Sequence, residues 1–339
     1  KVLCMTFNQD CSLIGIGTET GFKIINAVPF KDEHFRELNG GVSLLAMLNR
    51  SNILAFVGDG KNTKYPPNKL VIWDEEQGEE ISEINFANKI LNIKMKIGRI
   101  FVVCQEKIFI FDFDTLNLID LIETNNSKGL LAIALKENII AFPIKSSIGC
   151  VRIKNYDKSN ETMIHAHKKD ISFIELNKDG TILATASLKG TFIRIFNTSN
   201  NNLIQEVRRG KEPAEIFSIS FNSNDKYFVV SSDRPTLHVF SITNSSENMS
   251  KENIENFNKS IFGENIFETR KRFLSSSWRS FARYRIENQK SSISVFGPNN
   301  IIILITKYRN YYQLNFVIID FLLKYYFYYH YYYLYYYVY

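Results

Sequence analysis

Short apolar runs, each bounded by turn-forming residues, follow one another through most of this chain. Runs of that length, rich in β-branched and aromatic residues, predict strands, and long helical patterns are absent before residue 250. One unit recurs: an apolar strand, a polar turn, a second strand, a Ser/Gly turn, then a strand ending in an aromatic and a polar residue. The endings are Trp73-Asp74 in KLVIWDEEQG, Phe111-Asp112 in KIFIFDFDTLN, Tyr156-Asp157 in CVRIKNYDKSN, Phe196-Asn197 in TFIRIFNTSNN and Phe240-Ser241 in TLHVFSITN. Their polar members stand at 74, 112, 157, 197 and 241, so successive endings lie 38 to 45 residues apart. That spacing is the period of a four-stranded propeller blade. Adding FNQDCSLIGIGTETGFKIINA (7–27) in front and SSISVFGPNNIIILI (291–305) behind makes seven units. A β-solenoid would also repeat, but the aromatic-Asp endings favour a propeller, whose radial closure protects the sheet edges. The expected fold is all-β, a seven-bladed β-propeller over residues 1–319.

Two segments break the rhythm. Residues 244–277, NSSENMSKENIENFNKSIFGENIFETRKRFLSSS, form a long insertion in blade six, beyond the length of an ordinary hairpin turn. Its first half is rich in Asn, Ser and Glu, a composition that predicts disorder. Its second half sets Phe262, Ile266, Phe267, Phe273 and Leu274 beside Arg270, Lys271 and Arg272. Phe267 and Leu274 are one heptad apart, so a short helix would present both together. One reading is a loose loop whose aromatics pack on the propeller. WRSFARYRI (278–286) then resumes alternation and is expected to start blade seven. The C-terminal stretch FLLKYYFYYHYYYLYYYVY (321–339) carries 11 of the 18 tyrosines. It is read as low-complexity translation past a true exon end, with 320–339 outside the fold. A membrane anchor or an unusual final strand are the alternatives. Tyrosine prefers the membrane interface, and Asp320, Lys324 and His330 interrupt the run, which weakens the anchor reading.

Composition narrows the classes of function. The chain has 339 residues and a formal net charge of +6, enough for a sizeable core and permissive of anionic partners without demanding nucleic acid. Cys4, Cys11, Cys104 and Cys150 are scattered and read as reduced thiols of a cytosolic protein. The chain begins at Lys1, so the true N-terminus is expected to lie upstream; no secretory signal is visible. His165 and His167 have a spacing that can bind zinc, but no further ligands gather, and no metal or cofactor is expected. No GxSxG, P-loop or HExxH motif occurs, which argues against an enzyme.

Blades five and six are electrically unusual. AHKKDISFIELNKDGTILATASLKGTFIRIFN (166–197) follows the WD-repeat layout, with an entry His, an NKDG turn and ATAS before the final strand. A WD repeat ordinarily places an Asp two residues after that Ser, where it braces the entry His. Lys189 stands there instead, and Arg234 takes the matching place after Ser232 in blade six. Between these blades lies VRRG, in which Arg208 and Arg209 point to opposite sides if the segment is extended. One arginine would meet Ser187, Thr191 and Arg194 around Lys189. The other would meet Ser231, Ser232, Thr236 and His238 around Arg234. Cations without carboxylate partners are costly unless an anion arrives or water screens them. Guanidinium forks and hydroxyls suit phosphate oxygens. Two neighbouring phosphate sites on the propeller rim follow, against the plainer reading of a solvated Arg-Arg turn.

Together, FNQDCSLIGIGTETGFKIIN, YPPNKLVIWDE, KIFIFDFDTLNLIDLIET, the blade-five segment, VRRG and SSDRPTLHVF resemble the PROPPINs, the WIPI-like propellers of autophagy, with PPNKLVIWD and TLHVF leaning to the WIPI-four-like branch. The resemblance runs from about residue 6 to about 316. It implies a non-catalytic peripheral membrane effector with two sites for phosphatidylinositol 3-phosphate or the 3,5-bisphosphate. Carried over by position, the first uses His167, Ser187, Lys189, Thr191, Arg194 and Arg208. The second uses Arg209, Ser231, Ser232, Arg234, Thr236 and His238. The family's Phe or Leu before the arginine pair is Val207 here. Pro235 stands where many members have Gly, which removes an N–H donor. The resemblance also implies that the blade-six insertion enters the membrane through its apolar residues. Partners implied are autophagy or lipid-transfer proteins, with no nucleic acid and a monomeric chain. The expected location is cytoplasmic, on phagophore, endosomal, vacuolar or other organelle membranes. The competing function is a WD-repeat scaffold that binds proteins and ignores lipid.

Overall fold

The computed structural model describes residues 1–61, 64–144, 147–242, 280, 282–286, 292–306, 310–317 and 326–333. They form seven four-stranded antiparallel sheets, each made of consecutive strands. Blade one holds β1 (Val2–Phe7), β2 (Leu13–Thr18), β3 (Gly21–Asn26) and β4 (Lys31–Glu37), and blade two holds β5 (Val42–Met47), β6 (Ile53–Gly58), β7 (Lys69–Asp74) and β8 (Glu79–Asn85). Blade three holds β9 (Ile90–Lys96), β10 (Arg99–Cys104), β11 (Lys107–Asp112) and β12 (Leu118–Glu123). Blade four holds β13 (Ala132–Ile133), β14 (Ile139–Pro143), β15 (Cys150–Asn155) and β16 (Asn160–His165). Blade five holds β17 (Ile171–Leu176), β18 (Ile182–Ser187), β19 (Phe192–Asn197) and β20 (Leu203–Arg208). Blade six holds β21 (Ile216–Phe221), β22 (Tyr227–Ser232), β23 (Thr236–Ser241) and β24 (Ala282–Arg285). Blade seven holds β25 (Ser292–Phe296), β26 (Ile301–Thr306), β27 (Asn310–Val317) and β28 (Tyr326–Tyr333). First strands of neighbouring blades touch, as β1 with β5, β5 with β9, β17 with β21 and β21 with β25, so they ring the axis.

Burial follows radius. The second strand of a blade is packed on both faces by its neighbours, and all six residues of β2 are buried. A fourth strand lies at the rim, and β8 alternates exposed and half-buried residues along EEISEIN. Apolar clusters fill the spaces between blades. Ala184, Ile193 and Val207 of blade five meet Ile216, Phe228 and Phe240 of blade six. Phe228 and Phe240 stack at 5.2 Å between centroids. Blade one closes on blade seven in the same way, through Ile14, Ile16 and Ile25 against Ile303, Ile305 and Tyr311. The Tyr311 hydroxyl donates to the Ala27 carbonyl at 2.6 Å across that seam.

The recurring polar residue at each third-strand end has a local cause. Asp74 Oδ1 accepts from the Glu76 N–H at 2.9 Å and from Asn52 Nδ2 at 2.7 Å, and Asp112 Oδ1 accepts from the Thr115 N–H at 2.9 Å. These side chains stand in for a backbone acceptor and fix the turn into the fourth strand. Blade four departs from the expected Tyr156-Asp157 ending. Asn155 caps its turn, accepting from the Asp157 and Lys158 N–H groups at 3.0 Å each. Asp157 instead reaches Asn138, accepting from its Nδ2 at 2.6 Å.

Two expected boundaries change. Ala282–Arg285 does not start blade seven; it pairs with β23, with Thr236 opposite Arg285 and His238 opposite Arg283, and is the outer strand of blade six. Alternation alone cannot separate an inner from an outer strand, and the preceding insertion had broken the period. The tyrosine-rich segment, expected to lie outside the fold, supplies the backbone of β28, which pairs along β27 from Asn310–Tyr333 to Val317–Tyr326. The insertion itself, with Phe262, Ile266, Phe267, Phe273 and Leu274, lies outside the described residues. No helix among the described residues is long and apolar enough to cross a membrane.

Candidate anion sites flanking Arg208 and Arg209

Arg208 ends β20 and Arg209 follows it, and they diverge as alternation requires: Val207 is buried, Arg208 exposed and Arg209 buried. Arg208 lies opposite Phe192, and its guanidinium carbon stands 5.7 Å from the centre of that ring. Its Nε has only a long contact, 3.5 Å, to the Gly210 carbonyl. No carboxylate pairs with it among the described residues. Arg209 is 6% exposed and runs beneath the turn between β18 and β19. Its Nε donates to the Gly190 carbonyl at 2.8 Å, and its Nη2 donates to the Glu212 carbonyl. Burial lowers its pKa, Asp233 opposes the shift and Arg234 adds to it. Arg209 is therefore both a charge near blade six and a structural tie into blade five.

That turn is built to expose a cation. Gly190 has φ +59°, and a Cβ there would lie 1.8 Å from the Ala214 carbonyl oxygen, so glycine is required. The Gly190 N–H closes the turn on the Ser187 carbonyl at 2.8 Å, and the Lys189 carbonyl accepts from the Ala214 N–H at 3.1 Å. Lys189 is left exposed between Ser187 and Thr191, whose hydroxyls take no hydrogen-bond partner among the described residues. His167 keeps half of the WD brace: its Nε2 lies 3.0 Å from Thr185 Oγ1. Burial, with Arg194 adding, pulls its pKa down to about 4. Arg194 corrects the picture of cations without carboxylates. Its Nε donates to Glu206 Oε2 at 2.7 Å and its Nη1 to the Ala166 carbonyl, so it is already neutralised.

On the blade-six side, Arg234 is exposed, donates through Nη2 to the Pro213 carbonyl at 2.9 Å, and lies 4.0 Å from Asp233 Oδ1. Ser232 Oγ accepts from the Arg234 N–H at 3.2 Å. Ser231 does not reach the rim. It is 1% exposed, and its hydroxyl meets Ser218 Oγ at 2.6 Å, which in turn approaches Ser294 Oγ of blade seven. Thr236 is half-buried opposite Arg285. His238 is 6% exposed and stacks on Phe240, and its Nδ1 has no partner among the described residues. Burial pulls its pKa down to about 4, with Arg283 and Arg209 adding. The pairing of β24 thus brings in two cations the sequence reading had placed in blade seven, Arg283 and Arg285.

The two blades compare position by position. Arg194 and His238 are each the third residue of their strand, opposite Thr185 and Val230 of the second strand. The fourth-strand residue opposite Arg194 is Glu206; opposite His238 it is Arg283. Arg208 and Arg285 likewise correspond. Blade five therefore carries an internally paired cation, with Lys189 and Arg208 unpaired among the described residues, whereas blade six carries an imidazole opposite Arg283 that also feels Arg209. Both arrangements can take a multiply charged anion, and no group of three or more metal-ligating side chains occurs among the described residues.

Autophagy-related protein 18e of Arabidopsis thaliana is 33% identical over 311 residues, covering 90% of this chain and 81% of that one. Autophagy-related protein 18 of Dictyostelium discoideum is 38% identical over 253 residues, covering 74% of this chain and 67% of that one. The solved structure of Kluyveromyces lactis Hsv2 superposes with a TM-score of 0.77 at 22% identity, covering 97% of each chain. A complex of KlAtg21 with the coiled-coil of AgAtg16 superposes with a TM-score of 0.73 at 22% identity, covering 93% of this chain and 94% of that one. Residues 1–298 match the PROPPIN family, and the chain belongs to it.

Proposed function

We propose that this PROPPIN is a non-catalytic effector that recognises phosphatidylinositol 3-phosphate or 3,5-bisphosphate on organelle membranes and acts in autophagosome formation or related traffic. One observation carries the reading: Arg208, the last residue of the outer strand of blade five, is exposed, while Arg209 beside it turns inward and feels the charge of Arg234 in blade six. Exposed Lys189 and Arg208, with the open hydroxyls of Ser187 and Thr191, would form the first cradle. Arg209, Arg234, Arg283 and the unpartnered His238 Nδ1 would form the second, with Ser232 and Thr236 at its edge. Two weak sites on one rigid body bind a surface multivalently. The connection between β23 and β24, which carries Phe262, Ile266, Phe267, Phe273 and Leu274, is proposed to enter the bilayer beside them. Names among its relatives and the KlAtg21 complex support autophagy proteins as partners.

Flotation with vesicles of phosphatidylcholine, alone or with one phosphoinositide, tests the reading. Binding should require the 3-phosphate and be lost in an Arg208→Thr/Arg209→Thr variant whose circular dichroism is that of the wild type. A scaffold indifferent to lipid would ignore all vesicles, and that result would remove the proposal.

A further inference from the structure

The axis of the propeller holds a second, chemically different site. A cavity of about 370 Å³ is lined by Asn92 and Lys94 of β9, Ser172 and Glu175 of β17, and Lys128 and Glu215 from the linkers before blades four and six. All of these lie on or next to first strands, so the cavity is the central channel. One mouth is framed by Lys128 and Glu215, whose charged atoms lie 3.6 Å apart. The turn between β1 and β2 lies near Glu175 and Lys94. Gln9 in that turn donates through Nε2 to the Met47 carbonyl at 2.8 Å and to the Met95 carbonyl at 2.7 Å, tying blade one to the ends of β5 and β9. Cys11, two residues on, has its thiol pushed up to about 12 by burial, and Lys178, Asp10, Glu175 and Lys94 are the charges around it. Glu175 and Lys94 lie on the channel wall near that turn, both half-buried.

Those two groups, both half-buried, are left over. Neither forms a hydrogen bond or an ion pair within 4.0 Å with any described residue, including each other. Other charges deep in the fold are tied down; Lys96, 7% exposed, donates to the Ala134 and Glu137 carbonyls at 3.1 and 2.8 Å. A carboxylate and an ammonium on one channel wall, more than 4.0 Å apart, match a ligand bearing the opposite charges at matching separation. We propose that the channel binds a small zwitterion of amino-acid type, its ammonium at Glu175 and its carboxylate at Lys94. Asn92 is held on the Gly129 carbonyl at 2.8 Å and Ser172 on the Ser187 carbonyl at 2.9 Å, so both polar walls are already fixed. Burial pushes the Glu175 carboxyl up to about 7, against the pull of Lys94, and an ammonium beside it would restore the ionised form.

This inference is independent of the phosphoinositide reading, because the rim residues are not involved. The full chain would be titrated calorimetrically with glycine, β-alanine and γ-aminobutyrate, which space the two charges differently, and with acetate and methylammonium as single-charge probes. At least one zwitterion should bind with one-to-one stoichiometry and raise the melting temperature, while the single-charge probes do not. Glu175→Gln and Lys94→Met should each weaken binding by about tenfold or more. Vesicle flotation by both variants should be unchanged. If either variant fails to fold, Glu175→Asp, which keeps the charge but withdraws it, should still weaken binding. No isotherm with any zwitterion, binding untouched by the substitutions, or equal binding of acetate or methylammonium overturns the proposal.

Discussion

His238 and Arg283 are direct cross-strand partners in blade six, so an imidazole with an unpartnered Nδ1 and a guanidinium share one face of the sheet. The equivalent pair in blade five, Arg194 and Glu206, is an ion pair at 2.7 Å. Changing Arg283→Glu gives blade six an acid in the place of Glu206. Vesicle binding should fall by about tenfold or more, with no loss of thermal stability, because Arg283 is exposed. Flotation together with a melting curve checks both halves.

The converse change tests blade five. Glu206 competes with any anion for Arg194, and their side chains are 30% and 28% exposed. An ion pair of that exposure contributes about 0–1 kcal/mol to stability. Glu206→Gln should therefore cost little in melting temperature and tighten binding of 3-phosphorylated vesicles by a few fold. Weaker binding would mean that Arg194 acts only as a brace to the Ala166 carbonyl.

Arg208 and Arg209 should separate in a stability assay although both are proposed to contact the headgroup. Arg208 is exposed, makes one long hydrogen bond and lies over the Phe192 ring, so Arg208→Thr should cost little stability, within about 1 kcal/mol. Arg209 is buried and bonded to two carbonyls, and Arg209→Thr should destabilise by about 1–3 kcal/mol. Single-variant melts and flotation with Arg208→Thr alone, where partial binding is expected, separate recognition from folding.

Acid should loosen the free protein and favour the bound one. His167 and His238 are held near pKa 4 when folded against 6.5 for the free side chain. Between those values the unfolded chain binds more protons, so their contribution to stability is intact above about 6.5 and is lost as pH falls toward 4. A phosphate beside His238 raises its pKa, so the complex takes up a proton and binding strengthens as pH drops below neutrality. Melting temperatures from pH 7 to 4.5 should decline less steeply in His238→Asn than in the wild type, and flotation by that variant should lose its pH dependence.

The repeat was legible because its turns are chemical: Asp74, Asp112 and Asn197 cap their own backbone, and an aromatic precedes each. The arginine pair was legible because alternation alone sends Arg208 and Arg209 apart. Burial was not. Both faces of a blade are covered by neighbours, so Ser231, in the same strand as Ser232, turns into a hydroxyl chain with Ser218 and Ser294 that no local pattern announces. Arg283 was missed because a long insertion separates it from its partner strand, and register across such a gap is set by tertiary pairing. β28 was missed because a run of tyrosines has no period of two to read.

Every sheet in this ring is built from neighbouring strands of the sequence, and the join between β1–β4 and β25–β28 is held by side chains with no shared ladder. Each blade is thus a self-contained cassette, and the natural seam is one of seven inter-blade contacts. Linking the two ends and opening the chain at another linker between blades, such as the one after Glu123, would leave all seven sheets whole. The wheel is indifferent to which of these inter-blade linkers is cut.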